Sequence, residues 1–292
     1  MASVQQWISA ARPFTLPAAA APVLVGSAGA GYVGSFRPAA AVLALGLALG
    51  LQVGVNYAND YSDGVRGTDL ERVGPTRLTA AGLASPSAVK RAAVGSLLVA
   101  AVLGLALVAY CGQWWLLGVG ALALVAAWTY TGGKNPYGYR GLGEVGVFIF
   151  FGLVATAGTT YTQAGQVPWP VWSAAIGIGL IACGILMVNN IRDIPTDTIS
   201  GKRTLAVRLG ECKARWSYAG MLVGAVVCAL VGIFATWWAL LLAVLLGPAV
   251  ALGVLVISGL RGPGLVRVLK FTGQFELAFA LLWALAFVLG GR

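Results

Sequence analysis

The chain has 292 residues, of which 59% are hydrophobic and only 10% are charged, and its mean hydropathy is +0.86. Soluble globular proteins carry about a quarter charged residues, so the composition excludes a soluble domain and predicts an integral membrane protein. Histidine is absent, which excludes histidine haem ligands, histidine zinc sites and histidine general bases.

Nine apolar stretches follow one another along the chain, each close to the roughly 20 residues that a membrane-spanning helix needs. They are continuous rather than alternating in polarity, which favours helices over a β-barrel. The predicted spans are residues 14–33, 40–60, 87–110, 114–131, 143–163, 170–190, 215–234, 237–259 and 271–290. We therefore predict an all-α fold in which residues 1–292 form a single domain, a bundle of nine transmembrane helices around a central cavity.

The basic residues predict how this bundle is oriented. Nearly all of the 19 Lys and Arg residues precede the first span or follow an even-numbered span, and only Arg37 and Arg292 lie on the other side. By the positive-inside rule, the N-terminus and the charged loops are cytoplasmic and the C-terminus is outside. Topology and attraction to anionic lipid explain the net charge of +10, so nucleic acid is not predicted as a partner.

Most of the nine acidic residues stand in two clusters where the second and sixth spans end on the cytoplasmic side. The clusters, with their neighbouring amides, are Asn56, Asn59, Asp60 and Asp63, followed by Asp69 and Glu71, and Asn189, Asn190, Asp193 and Asp197. Residues three or four apart share a helix face, although Pro195 predicts that Asp197 reaches inward from a turn. Carboxylates near a bilayer are costly and indicate function. Their oxygens favour Mg²⁺, which in turn favours a phosphate ligand.

Basic residues accompany both clusters. Tyr130 and Lys134 end the fourth span, Arg140 follows in the same loop, and Lys202 and Arg203 follow the second cluster. Lys and Arg groups beside Mg²⁺ are typical of a diphosphate-binding site. Each of these cations except Lys134 is also explained as ordinary loop charge.

The acidic residues have two other possible interpretations. They could form loop salt bridges with Arg66, Arg192 and Lys202. They could also belong to a cation- or proton-coupled transporter, but transporters bind their coupling ions near the bilayer midplane, whereas these acids lie at one end. Glu276, inside the ninth span, is interpreted as a snorkelling or Lys270-paired residue near a helix end.

With these motifs in place, the chain resembles the UbiA superfamily of intramembrane prenyltransferases over nearly its whole length. The resemblance rests on the acidic motif of Asn56, Asp60 and Asp63, the Tyr130–Lys134 motif and the Asp193–Asp197 motif. Longer strings resemble the branch that prenylates 1,4-dihydroxy-2-naphthoate in menaquinone synthesis. These strings are residues 11–17, 59–63, 67–69, 130–133, 138–144, 189–193 and 201–210.

The resemblance implies a Mg²⁺-dependent transfer of a polyprenyl group from polyprenyl diphosphate to dihydroxynaphthoate, with loss of CO₂ and diphosphate, giving demethylmenaquinone. It implies an apolar groove for the prenyl tail, open to the bilayer of a bacterial-type plasma membrane, and metal ligands on both acidic motifs. The implied catalytic residues are Asp60, Asp63, Asp193, Asp197 and Lys134. The implied metal ligands are Asn56, Asp60, Asp63, Asp193 and Asp197, with Asn189 and Asp69 as further candidates. The implied substrate contacts are Asn56, Asn59, Tyr130, Arg140, Asn189, Lys202 and Arg203. Some relatives have an acid where Gly67 stands, so the role of Asp69 stays open. Acceptors such as 4-hydroxybenzoate or homogentisate, the prenyl length, the ring-proton acceptor and the oligomeric state also stay open.

Overall fold

The computed structural model describes residues 2–67 and 77–291, and all regular structure in these ranges is helical. The helices are α1 (Val4–Ala10), α2 (Leu16–Tyr32), α3 (Pro38–Arg66), α4 (Pro86–Cys111), α5 (Leu116–Thr129), α6 (Gly143–Val147), α7 (Ala155–Ala164), α8 (Trp169–Ile199), α9 (Leu205–Leu209), α10 (Glu211–Leu230), α11 (Leu246–Ile257) and α12 (Pro263–Gly290). Short 3₁₀ segments cover Pro13–Thr15, Tyr137–Arg140, Val231–Phe234 and Trp237–Leu245, and a π-helical segment covers Phe148–Val154. The all-α prediction is confirmed.

Eight helical segments in the described ranges are long and apolar enough to cross a bilayer. The fourth predicted span corresponds instead to α5, which has 14 residues. At 1.5 Å per residue this helix is about 21 Å long, shorter than the roughly 30 Å of a hydrocarbon core. A protein with several membrane-spanning helices is thus confirmed, whereas the count of nine spans and the orientation stay predictions.

Several predicted boundaries were wrong. The sixth span does not end near residue 190, because α8 continues through Pro195 to Ile199 and so carries Asp197 on the helix rather than on a turn. Proline removes only one helical hydrogen bond, here near the end of a 31-residue helix. The ninth span begins earlier than predicted, at Pro263, since proline suits the first helical position. The short helix α1 was not predicted, although Ser3 and Gln6 form a capping box at its start.

Helix α8 lies at the centre of the fold and packs against α2, α10 and α12. Apolar burial drives helix association only weakly in lipid, so close packing through small residues becomes important. The π-helical segment meets α8 where Gly152 faces Gly179, and a Cβ atom on Gly152 would lie 2.5 Å from the Cα of Gly179. Small residues therefore set the distance between these helices.

The two acidic motifs come together because α2 packs against both α3 and α8. The last turns of α3 carry Asp63, and the last turns of α8 carry Asp193 and Asp197. All three carboxylates are buried. The helix ends therefore face each other across a cavity, as the sequence predicted.

Candidate active site

A small polar cavity of about 60 Å³ lies between the ends of α3 and α8. Three carboxylates, three cations and several amide and hydroxyl groups line it. The lining residues are Arg12, Asn59, Asp63, Arg77, Tyr130, Thr131, Gly138, Tyr139, Asn189, Asn190, Asp193, Asp197, Lys202 and Thr204. We refer to this space as the polar cavity.

Asp63 has three polar partners among the described residues that line the polar cavity. Lys202 Nζ lies 3.1 Å from its Oδ1 atom, and Arg77 Nη2 lies 3.7 Å from its Oδ2 atom. The hydroxyl of Tyr139 donates a hydrogen bond to Oδ1. All of the charged side chains in this group are buried, so the positive charges offset the desolvation of the carboxylate.

The α8 carboxylates have partners of their own. Arg192 donates two hydrogen bonds to Asp193, at 2.7 Å from Nε and 2.8 Å from Nη2. The same Nη2 atom lies 2.8 Å from Oδ1 of Asn189. Asp197 Oδ2 lies 3.5 Å from the hydroxyl of Thr204. The fork geometry of Arg192 fixes the orientation of the Asp193 carboxylate.

Not every predicted residue of α3 reaches the polar cavity. Asn59 lines it and accepts a 2.8 Å hydrogen bond from the Thr131 hydroxyl. Asn56 faces elsewhere, since its Nδ2 atom donates to the Ala11 carbonyl at 2.8 Å and to Thr15 Oγ1 at 3.1 Å. Asn56 thus ties α3 to the chain segment that leads into α2.

Asp60 also faces away from the polar cavity. Its Oδ2 accepts the backbone N–H of Leu78 at 2.8 Å, and its Oδ1 accepts the N–H of Thr79 at 2.9 Å. It lines neither the polar cavity nor the larger apolar cavity described below. The structure therefore does not bring Asp60 together with the other three aspartates.

The predicted basic residues divide in the same way. Lys202 is buried in the polar cavity, whereas Lys134, Arg140 and Arg203 are exposed and do not line it. The backbone N–H of Arg203 donates a 2.9 Å hydrogen bond to the carbonyl oxygen of Tyr139. Arg203 therefore contacts Tyr139 through its main chain.

Sequence reasoning missed three arginines and one tyrosine. Arg12, Arg77 and Arg192 line the cavities but were interpreted as topological charge or as salt-bridge partners. Arg12 has the only positive φ among described non-glycine residues, 56°, a conformation that is unusual for a side chain of this size. Its signal in the sequence was its place within the string of residues 11–17.

Tyr139 is the missed tyrosine, and two cations contact its ring. Lys202 Nζ is 4.6 Å from the ring centre, and the guanidinium carbon of Arg66 is 5.3 Å from it. Arg66 also donates to the carbonyls of Thr131 and Gly133. These cation–π contacts and hydrogen bonds fix the loop after α5 over the polar cavity.

Tyr130 begins this loop, directly after α5, and lines the polar cavity. Its ring meets that of Tyr137 edge to face, with centroids 5.5 Å apart. Burial raises the pKa of Tyr137 to about 12, so its phenol is neutral at physiological pH.

A second, larger cavity of about 590 Å³ adjoins the polar one and is lined mostly by aliphatic side chains from α2 to α8. Five residues line both cavities and form what we call the neck between them. The neck residues are Arg12, Asn59, Arg77, Tyr130 and Asn189. A bound molecule with a charged head and an apolar tail would have its junction at the neck.

The lining of the polar cavity suits Mg²⁺. The donors are carboxylate and amide oxygens, without cysteine or histidine, and these hard ligands favour Mg²⁺ over zinc or copper. No group of three acidic or cysteine side chains within metal-binding distance occurs in the described ranges. Mg²⁺ commonly takes one or two carboxylates, several waters and substrate phosphates, so the residues present fit a metal that is completed by its substrate.

Three acidic residues lie outside this arrangement. Asp69 and Glu71 fall outside the described residues. Glu276 is fully buried in the middle of α12, and neither of its oxygens has a hydrogen-bond partner in the described structure. The interpretation of Glu276 as a snorkelling or Lys270-paired residue near a helix end was wrong, because α12 begins 13 residues before it and Lys270 is exposed.

The chain is similar to known proteins over most of its length. The family model "UbiA prenyltransferase family" matches residues 19–263. The chain is 48% identical over 290 residues, 99% of both chains, to the 1,4-dihydroxy-2-naphthoate octaprenyltransferase of Mycobacterium tuberculosis. It is 41% identical to the Escherichia coli protein of the same name, over 77% of this chain and 75% of the relative.

The fold is also that of solved structures. A UbiA homologue from Archaeoglobus fulgidus, bound to GPP and Mg²⁺, superposes with a TM-score of 0.68 at 16% identity, covering 97% of this chain and 99% of that one. At this identity the likeness shows the fold alone. Family model, relatives and fold together lead to one conclusion: the chain is an integral membrane enzyme that belongs to the UbiA prenyltransferase family.

Proposed function

We propose that the protein transfers a polyprenyl group from polyprenyl diphosphate to 1,4-dihydroxy-2-naphthoate, with release of diphosphate and CO₂. The observation that carries this proposal is that the polar cavity lies next to the apolar cavity, with the neck residues lining both. A polyprenyl diphosphate has the matching shape, a charged head joined to a long apolar tail. The reacting C–O bond joins these two parts and would therefore lie at the neck.

The diphosphate would occupy the polar cavity. Lys202, Arg77 and Arg12 line it and supply positive charge for the phosphate oxygens. Asp63, Asp193 and Asp197, with the amides of Asn59 and Asn189, would hold Mg²⁺ there. Bound Mg²⁺ would neutralise charge on the diphosphate and so make it a better leaving group. In this proposal the exposed Lys134, Arg140 and Arg203 act only from the periphery.

The chain itself would supply positioning and protection from water. The apolar cavity would hold the tail, and the mostly aliphatic lining would keep water from the allylic cation that forms as the C–O bond breaks. Tyr130 faces the neck and presents its aromatic ring to developing positive charge, a cation–π arrangement. Tyr139 and Lys202 would orient Asp63 during this step.

The acceptor ring would then attack C1 of the prenyl group at the ring carbon that carries the carboxylate. A carbon–carbon bond forms there, and loss of the carboxyl group as CO₂ returns its bonding electrons to the ring, giving the quinol form of demethylmenaquinone. Dihydroxynaphthoate as acceptor is supported by the names of the relatives with 48% and 41% identity. We propose that the site opens at the cytoplasmic face, as the distribution of basic loops predicts.

Purified protein, assayed with Mg²⁺ and a polyprenyl diphosphate, tests the proposal. Dihydroxynaphthoate should be consumed while CO₂, diphosphate and the prenylated quinol appear in equal amounts. Parallel reactions with 4-hydroxybenzoate and homogentisate serve as matched acceptor controls. Turnover of either control in place of dihydroxynaphthoate would reject the proposed acceptor while leaving prenyl transfer intact.

A further inference from the structure

One buried carboxylate of the first acidic motif has no part in the proposed reaction. Asp60 is only 1% exposed, and both of its oxygens are used by the backbone N–H groups of Leu78 and Thr79, at 2.8 and 2.9 Å. A carboxylate that accepts two adjacent N–H groups forms strong, charge-assisted hydrogen bonds. Asp60 thus fixes the direction of the chain at residues 78 and 79.

The segment that Asp60 holds is packed tightly against α3. Leu78 is fully buried in a cluster with Ala10 and Val89. One turn beyond Asp60, the backbone of Gly64 approaches Thr79 so closely that a Cβ atom on Gly64 would lie 2.5 Å from Thr79 Cβ. Asp60 and Gly64 therefore hold the same short segment, one by hydrogen bonds and the other by close approach.

The residue that precedes this segment is Arg77, whose buried side chain lines both cavities at the neck. Its Nη2 atom lies 3.7 Å from Oδ2 of Asp63. Arg77 directly precedes the two residues bound to Asp60. The backbone direction that Asp60 fixes at residues 78 and 79 therefore also fixes the point from which the Arg77 side chain extends.

We propose that Asp60 is a positioning residue that holds Arg77 at the neck, so that the guanidinium meets the diphosphate next to the bond that breaks. This inference rests on the proposed function and goes beyond it. Two aspartates three residues apart on α3 then have different tasks. Asp63 faces the metal and diphosphate, whereas Asp60 acts through the backbone of residues 78 and 79.

The pair gives a matched experiment with Asp60→Asn and Asp63→Asn in the full-length, detergent-purified enzyme. The amide of Asp60→Asn can accept only one of the two N–H groups. We expect the KM for prenyl diphosphate to rise about tenfold with kcat nearly unchanged, and the Mg²⁺ concentration for half-maximal activity to stay as in the wild type. Asp63→Asn should raise that Mg²⁺ concentration about tenfold or more.

Two further variants separate positioning from a general loss of stability. If Asp60 acts through Arg77, the double variant Asp60→Asn/Arg77→Gln should have the KM of Arg77→Gln alone, since interacting residues are non-additive. Gly64→Ala moves the same segment with Asp60 intact, and should also raise the KM at an unchanged Mg²⁺ requirement. Titration of each variant with inorganic diphosphate and Mg²⁺ compares their affinities for diphosphate without an acceptor.

The outcomes are distinct. A wild type that fails to turn over dihydroxynaphthoate rejects the proposed acceptor, and the diphosphate titration still decides the role of Asp60. The inference is overturned if Asp60→Asn raises the Mg²⁺ requirement as Asp63→Asn does, lowers only kcat, or has no effect. If Asp60→Asn does not fold, Gly64→Ala decides: a raised KM supports the inference, and an unchanged KM overturns it.

Discussion

Replacing Lys202 by methionine tests the division between buried and exposed cations. Lys202 Nζ lies 3.1 Å from Asp63 and 4.6 Å above the Tyr139 ring, inside the polar cavity. Methionine keeps the length and apolar body of the side chain and removes the charge. Lys134, which is exposed and does not line the polar cavity, provides a matched control through Lys134→Met.

The magnitude follows from the contacts that are lost. A hydrogen bond to a charged group contributes about 1.5–3 kcal/mol, which corresponds to roughly a ten- to hundredfold fall in kcat/KM. Arg77 and the Tyr139 hydroxyl remain beside Asp63, so the carboxylate keeps partners and the variant should fold. Lys134→Met should change kcat/KM by less than about threefold, because an exposed ion contact contributes little.

The assay is steady-state prenyl transfer at saturating Mg²⁺, with the prenyl diphosphate concentration varied. Thermal unfolding of each variant checks that both are folded. An equal loss in Lys134→Met and Lys202→Met, or an unchanged kcat/KM in Lys202→Met, would refute the reasoning that only the buried lysine meets the diphosphate.

Three other changes give separate tests. Tyr139→Phe removes the hydrogen bond to Asp63 but keeps the ring and its contacts with Lys202 and Arg66, so we expect kcat/KM to fall about fivefold; a loss above a hundredfold would mean that the hydroxyl reacts directly. Burial raises the pKa of Tyr137 to about 12, so the folded state favours its neutral phenol. This contribution to stability is complete below about pH 10, the pKa of tyrosine in the unfolded chain, and is lost as the pH rises through 12. Tyr137→Phe should therefore reduce the fall in unfolding temperature above pH 10, and an unchanged alkaline profile would contradict this. Gly152→Ala should destabilise the protein by about 1–3 kcal/mol, whereas Gly158→Ala, where a Cβ would meet nothing within 4 Å, should not; equal melting temperatures would refute the packing argument.

Helical spacing explains why only some of the predicted residues of α3 line the polar cavity. Asn59 and Asp63 are four residues apart and both line the polar cavity. Asn56 and Asp60 are also four apart. They lie on a helix face about 60° away from the face of the first pair, because three residues rotate a helix by 300°. The sequence predicted both pairs near the cavity. Which pair faces the cavity depends on contacts with Ala11 and with residues 78 and 79.

The basic residues show a second limit. Topology alone explains basic residues in cytoplasmic loops, whether or not they also take part in catalysis. The loop sequence therefore could not separate Lys202, which is buried in the cavity, from Lys134 and Arg140, which are exposed. The same ambiguity hid Arg12 and Arg77. The 14-residue α5 and the continuation of α8 through Pro195 likewise depend on packing that hydropathy does not record.

In our proposal, a prenyl group is transferred to dihydroxynaphthoate at this polar cavity in a Mg²⁺-dependent reaction. The decisive measurement is prenylated product formed by the purified wild-type protein with dihydroxynaphthoate, before and after chelation of divalent metal. We expect turnover that stops on chelation, returns with added Mg²⁺, and releases one CO₂ for each diphosphate. Turnover that persists in chelator, or that requires a different acceptor, would contradict the proposal.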